Sequence, residues 1–316
     1  MKKLDELDDW RRTHYSVEIT PKLEGEKVTI FGWLASIREQ GGIIFLILND
    51  KEGVVQITAH KDKAPSSILE KLKNLCEHSS IGVRGIVKSI NKAPRGAEII
   101  PEEIRILSIA QRQPPFSLFG GKMPSIDKRL DIRVIDMRRP KAQAIFKIRH
   151  TVLKAIRDFL IGKGYMEVST PKIIATATEG GAALFPLLYY DKEAFLAQSP
   201  QLYKEQLIMP FEKIFEIGPI FRAEESRTLR HLSEVISIDV EEAFVSYEDI
   251  MNIIEQMICH IIETINDKCG EEMKLLKRRP MIPKAPFKRF TYDDTLKMLE
   301  RENIIINWGE DLSTQP

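Results

Sequence analysis

The segment PIFRAEESRTLRHL, residues 219–232, packs arginines, carboxylates and a single histidine, His231, between two apolar runs. A planar guanidinium matches a phosphate or a carboxylate bidentately, so Arg222 beside Glu224 points to a site for a phosphorylated substrate. The plain alternative is a solvated hairpin, since loops are usually polar surface. A second set lies in SPQLYKEQ, where Gln201 and Lys204 share a face if the segment is helical. An exposed helix lysine is the competing reading there. A third set is Phe45 in GGIIFLILND and Gln56 in GVVQITAHK, both out of phase with their apolar neighbours and so outward-facing. An outward aromatic and amide could stack on and hydrogen-bond an unpaired base. Equally, that face could pack against a neighbouring domain.

Each set needs an element to position it. Phe215, Ile217, Pro219 and Phe221 fall on one parity and Glu216, Gly218, Ile220 and Arg222 on the other, the period-2 signal of a strand. Beyond the loop, Ile236, Ile238 and Val240 alternate with Ser237, Asp239 and Glu241. The two runs predict an antiparallel hairpin with one apolar and one polar face, with a bulge at Pro219, which donates no ladder hydrogen bond. The LFPLLYY and AFLAQ runs predict strands, followed by a helix with Ser199 as N-cap and Pro200 in its first turn. Residues 145–160 keep helical spacing, closed by Gly162 and Gly164. A long helix starts at a Ser246–Asp249 capping pair and carries Ile250, Ile253, Ile254, Met257, Ile258, Ile261 and Ile265 as its buried stripe. The last stretch predicts a short helix and one strand. Upstream, residues 28–110 give three strands, a helix and two more strands, the order of an OB-fold barrel. In that barrel Ile44, Leu46 and Leu48 point inward.

At 316 residues the chain is long enough for two domains. Its 43% hydrophobic and 29% charged content is that of an ordinary soluble protein. With 47 basic against 46 acidic side chains, nucleic-acid contacts must come from local patches rather than overall charge. Cys76, Cys259 and Cys269 show no CxxC spacing, which fits a reducing cytoplasm and no structural zinc. The charged start MKKLDELDDWRR does not read as a signal peptide, and no apolar run reaches transmembrane length. The expected location is cytoplasmic, with no membrane partner.

Several segments, in one order, resemble the class II aminoacyl-tRNA synthetases, most closely the archaeal and eukaryotic aspartyl type. RLDIRVIDMRRPKAQAIFKIRH, with the helix and strand ending at Pro171, is similar to the first motif, which in relatives builds a dimer interface. ATATEGGAALF resembles a mobile loop over the amino acid, AFLAQSPQLYKEQ the strand and helix that select it, and FRAEESRTLRHLSEVISIDVEEAF the ATP-binding hairpin. The barrel resembles the anticodon-binding domain. The resemblance implies an α+β chain: a five-stranded OB-fold barrel over 1–110, a linker over 111–133, and over 134–316 a class II antiparallel sheet flanked by helices.

The same resemblance implies aspartate–tRNA ligation, with ATP, Mg²⁺, L-aspartate and tRNA(Asp) as reactants and a homodimer as assembly. Whether tRNA(Asn) is also accepted stays open. Arg222 bridges the α-carboxylate of aspartate and the α-phosphate. By the same resemblance Glu224 contacts the adenine side, Ala223 belongs to the ATP site, and Arg230, His231 and Leu232 hold the nucleotide and its outer phosphates. Lys204 pairs with the β-carboxylate, Asp239 fixes that lysine, and Glu179 with Gln201 receives the ammonium group, within a run that includes Leu202 and Tyr203. Phe45, Gln56 and Glu103 contact the anticodon.

One departure stands out. No G-x-G-x-x-R occurs among the 17 glycines, so the third motif of the family is missing, and with it the strand that carries the Mg²⁺ carboxylate. The metal therefore has no ligand set within this chain, and the sheet is expected to be incomplete at its C-terminal side. A fragment, a split enzyme and a degenerate paralogue are all compatible with that. An asparagine–tRNA ligase is the alternative enzyme, disfavoured because an amide gives Lys204 no charge to pair. A catalytically dead tRNA-binding module is the alternative outside enzymes.

Overall fold

The computed structural model describes residues 4–73, 75–112, 114–116, 118, 123–176, 184–223 and 232–312. It divides into two units, Met1–Pro140 and Lys141–Pro316.

In the first unit β1 (Lys27–Gln40), β2 (Ile43–Asn49), β3 (Val54–His60), α1 (Ser66–Lys73), β4 (Ser80–Ser89) and β5 (Ala97–Ser108) follow in chain order. They close into a barrel of strand order β1-β2-β3-β5-β4. Closure comes from the parallel pairing of β3 with β5, which sets Gln56 beside Glu98 and Ile57 beside Ile99. Alternation fills the interior: Ile44, Leu46 and Leu48 are buried with Ile57, Val83, Ile99 and Ile104. Gly85 is required where β4 meets a register shift against β5, because a Cβ there would lie 2.2 Å from the Ile100 carbonyl oxygen. The N-terminal arm is part of this unit. Its Trp10 is buried against Phe31, with the guanidinium groups of Arg84 and Arg105 at 4.4 and 4.6 Å from its ring.

The stretch expected to be an irregular linker contains α2 (Ile126–Asp131), and α3 (Arg133–Asp136) follows it directly. Both are held by one fully buried carboxylate. Asp136 accepts from Arg129 Nε at 2.9 Å and from Arg133 Nη1 at 2.7 Å, with Arg139 at 3.9 Å. Charge pairing onto one carboxylate, not apolar periodicity, holds these helices, so the hydrophobic pattern did not display them.

The second unit contains α4 (Pro140–Gly162), β6 (Met166–Glu167), β7 (Ile173–Ile174), β8 (Pro186–Tyr189), β9 (Lys192–Leu196), α5 (Gln201–Phe211), β10 (Lys213–Phe221), β11 (Glu234–Glu242), α6 (Tyr247–Lys268), α7 (Gly270–Leu276) and α8 (Tyr292–Arg301). Proline opens α4, and Gly164 at φ +87° turns the chain after it. Two three-stranded sheets form, β11-β10-β6 and β7-β9-β8. The first is mixed, since β6 pairs with β10 in parallel.

The β10–β11 hairpin runs without interruption from Lys213↔Glu242 to Phe221↔Glu234, so the bulge expected at Pro219 is absent. Phe221, on the same parity, donates its N–H away from β11 to the Ala197 carbonyl at 2.9 Å. The imide nitrogen of Pro219 therefore also points away from β11, and β6 pairs with β10 only at residues 214 and 215. The ladder loses nothing to the proline. On the apolar face Phe215, Ile217 and Val240 pack with Ile156 and Leu160 of α4 and with Ile253, Met257 and Ile261 of α6. Of the expected α6 stripe only Ile265 is buried, Ile254 is exposed, and the rest are half-buried. The Ser246–Asp249 capping pair forms, with Asp249 Oδ2 accepting from Ser246 N at 2.9 Å and from its hydroxyl at 2.8 Å. At the C-terminal end α8 is present, but residues 304–307 have no regular secondary structure instead of the expected strand.

Candidate active site

The polar face of the hairpin gathers the charges. Register sets Glu241 across from Ile214, Asp239 across from Glu216 and Ser237 across from Gly218. Alternation puts all six on the face opposite the α4–α6 core. Over this face lies α5. It begins at Gln201 with Pro200 in the cap position, one residue later than expected, although the Ser199 hydroxyl does accept the Gln201 N–H at 3.2 Å. Helical spacing then sends Gln201 and Lys204 toward the sheet and leaves Leu202 exposed and Tyr203 half-buried.

Lys204 is 4% exposed, which is costly for an ammonium group without compensation. Compensation comes from two carboxylates: Lys204 Nζ lies 3.4 Å from Asp239 Oδ1 and 3.3 Å from Glu241 Oε2. Gln201 Nε2 donates to the same Glu241 oxygen at 3.4 Å and to Glu205 at 3.1 Å. The exposed-lysine alternative is thereby excluded. Deeper on the same face Glu216, 3% exposed, accepts from the Thr170 N–H at 2.9 Å and from the Thr170 hydroxyl at 2.8 Å. Lys172 Nζ completes its coordination at 2.9 Å. Pro171, between those two partners, is exposed.

Arg222 follows the last residue of β10 on the polar parity. Its side chain is exposed, and its backbone N–H donates to Ser233 at 3.0 Å, which closes the base of the hairpin loop. Ala223 is half-buried and Leu232 exposed. Glu179, Glu224, Arg230 and His231 lie outside the described residues.

The structure adds residues that the sequence reading gave no role. Glu241 lies on the parity already assigned to Asp239, and Glu216 on that of Arg222, so the alternation did carry their signal. Lys172 and Thr170 follow no periodic pattern, and only the fold brings them to Glu216. Among the described residues no group of three or more His, Cys, Asp or Glu side chains is placed to hold a metal. Glu216, Asp239 and Glu241 are instead engaged by lysines, so these residues do not fit a resident Mg²⁺ site.

On the barrel, Phe45 and Gln56 do share the outer face: Phe45 pairs with Thr58, and Ile47 with Gln56, across β2 and β3. Phe45 is half-buried beneath the Arg38 guanidinium, 5.2 Å from its ring centre. Gln56 is 8% exposed, because its Nε2 donates to Glu98 Oε2 at 2.8 Å. Thr58 donates to that same oxygen at 2.6 Å. The carboxylate beside Gln56 is thus Glu98 rather than Glu103. The latter is exposed further along β5, where it accepts from Arg105 Nε at 3.4 Å. Only the β3–β5 pairing reveals this, and no local pattern encodes it.

Known proteins match both units. The family described as tRNA synthetases class II (D, K and N) matches residues 125–314, and the OB-fold nucleic acid binding domain matches residues 28–107. The aspartate–tRNA(Asp/Asn) ligase of Methanopyrus kandleri is 46% identical over 303 residues, 95% of this chain and 70% of that protein. The aspartate–tRNA(Asp) ligase of Pyrococcus abyssi is 46% identical over 306 residues, 96% of this chain and 70% of that protein. The crystal structure of asparaginyl-tRNA synthetase from Pyrococcus horikoshii complexed with asparaginyl-adenylate aligns at a TM-score of 0.90 with 35% identity, covering 96% of this chain and 70% of that one.

Proposed function

The chain belongs to the class II tRNA synthetases of the D, K and N group, a family of ligases, and from that premise we propose that it is an aspartate–tRNA ligase. It activates L-aspartate with ATP and passes the aspartyl group to the 3′ end of tRNA(Asp). The observation that carries this reading is Lys204, a buried cation on the polar sheet face with carboxylates on its protein side. An acidic side chain gives that ammonium a further charge to pair, whereas an amide gives it none.

The chemistry needs no side-chain nucleophile. An α-carboxylate oxygen of aspartate attacks the α-phosphorus of ATP, the P–O bond to the β-phosphate breaks, and pyrophosphate leaves. The ribose hydroxyl of the tRNA terminus then attacks the mixed anhydride and releases AMP. Lys204 holds the β-carboxylate, and Asp239 with Glu241 holds Lys204. Arg222 draws the α-carboxylate and the α-phosphate together and neutralises charge as the pentavalent centre forms. Gln201 and Glu179 face the ammonium group. Ala223, Glu224, Arg230, His231 and Leu232 line the nucleotide. Mg²⁺ enters with ATP as part of the substrate.

On the barrel, Phe45 supplies a stacking surface and Gln56, fixed by Glu98, a polar edge for the anticodon. The assembly is a homodimer, supported by exposed apolar side chains in the segment of Ile126, Leu130, Val134 and Ile145. Among the described residues no helix is long and apolar enough to cross a membrane, and the cytoplasm is the proposed location. Acceptance of tRNA(Asn) is a second reading favoured by the name of the Methanopyrus relative. Aspartate-dependent ATP–pyrophosphate exchange tests the main one, and exchange driven by asparagine instead would refute it.

A further inference from the structure

Resting on the aspartate reading, we propose that Lys172 is a positioning residue: through Glu216 and Asp239 it holds Lys204 in place and so sets the preference for an acidic over an amide amino acid.

Glu216 and Asp239 are directly opposed on one face of an antiparallel pair. Side chains so placed are neighbours, and like charges there destabilise the pair. The protein answers with two lysines from different elements, one for each carboxylate. Lys172, just before β7, lies 2.9 Å from Glu216 Oε1, and Lys204, on α5, lies 3.4 Å from Asp239 Oδ1. Each of the two opposed carboxylates therefore has a lysine on its outer side.

The Glu216 half is rigid. Its two oxygens are bound by Thr170 N and Oγ1, and Lys172 Nζ is itself 3.0 Å from Thr170 Oγ1. Room for the lysine comes from Gly218, where a Cβ would stand 3.2 Å from Glu216 Oε1 and 3.4 Å from Lys172 Cε. The Lys204 half is looser, with contacts of 3.3 and 3.4 Å, and that is the half that must adjust to a substrate.

Removing the charge of Lys172 leaves a buried carboxylate beside Asp239 with no cation of its own. Lys204 is the cation already bound to the neighbouring carboxylate. Drawn toward Glu216, it leaves the position from which it meets a β-carboxylate, and the face as a whole gains a negative charge. Both effects penalise aspartate, and neither penalises asparagine.

The test uses the full chain and equilibrium binding of L-aspartate and L-asparagine, each measured by calorimetry, with a thermal melt to verify folding of each variant. Lys172→Met is expected to weaken aspartate binding at least about tenfold while asparagine binding changes by less than about twofold. Lys172→Arg restores the wild-type ratio. Because the role runs through the charge of Glu216, Glu216→Gln added to Lys172→Met is expected to recover most of the aspartate affinity. A folded Lys172→Met protein with an unchanged aspartate-to-asparagine ratio overturns the proposal. So does a double variant no better than the single one. Wild-type protein that prefers asparagine would overturn the aspartate reading and this proposal together. Wild-type preference for aspartate with an unaltered ratio in the variant overturns the positioning role alone.

Discussion

Lys204 of α5 reaches Asp239 of β11 at 3.4 Å across the polar face of the sheet, a contact between segments 35 residues apart. That one relationship joins α5 to the β10–β11 hairpin. It holds the lysine beside the sheet face before any substrate arrives, which limits the reorganisation an electrostatic contact costs.

At the far end of β10, a planar fork suits the bridge between a carboxylate and a phosphate, so Arg222→Lys is not a conservative change. Arg222→Ala is expected to lower aspartate-dependent adenylate formation by about 10²–10³-fold, with Arg222→Lys recovering only part of it. Exposure of the side chain predicts little change in melting temperature for either variant. Single-turnover measurement of adenylate formation checks this.

Phe45→Ala is expected to weaken tRNA binding by about tenfold or more, as loss of one base-stacking surface does. Binding measured at several salt concentrations should show an unchanged slope, because no phosphate contact is removed. A reduced slope would assign Phe45 a different role.

The carboxyl of Asp136 is held below the ordinary carboxylate range, chiefly by the Arg129 hydrogen bond, with the charges of Arg129, Arg133 and Arg139 adding to it against the opposing effect of burial. A pKa depressed in the folded state contributes stability above the unfolded value of about 3.9, and that stability is lost as pH falls through the lower folded value. Asp136→Asn is accordingly expected to cost about 3 kcal/mol at neutral pH. The gap between the melting temperatures of the variant and the wild type should narrow below about pH 4. A gap independent of pH would refute the charge-based account.

Gly85→Ala forces a methyl group to 2.2 Å from a backbone carbonyl oxygen, which no side-chain rotation relieves. A loss of about 2 kcal/mol or more is expected in denaturant unfolding, since overpacking against backbone requires strand movement. Gly162→Ala, where a Cβ meets nothing within 4 Å, is the control expected to show no such loss.

Much of the architecture was legible where one physical signal dominated. Alternation of Ile44, Leu46 and Leu48 with Ile43, Phe45 and Ile47 set the inner and outer faces of β2, and the burial of the first three agrees. The polar parity of β10 and β11 likewise led to the face that carries Lys204's partners. What escaped was encoded between distant segments. Glu98 becomes the neighbour of Gln56 only through parallel pairing at barrel closure, and Lys172 meets Glu216 only after β10 has docked beside residue 168. α2 escaped because arginine–carboxylate pairing stabilises it in place of an apolar stripe. Pro219 misled because its cost depends on which side of the strand its nitrogen faces, and local sequence does not reveal that.

The central claim is that a buried ammonium at position 204 selects an acidic amino acid. Aspartate-dependent ATP–pyrophosphate exchange by Lys204→Leu, set beside the wild type and confirmed to melt cooperatively, tests it most directly. Exchange with aspartate is expected to be lost while ATP binding persists. Exchange at the wild-type rate in the folded variant would contradict it.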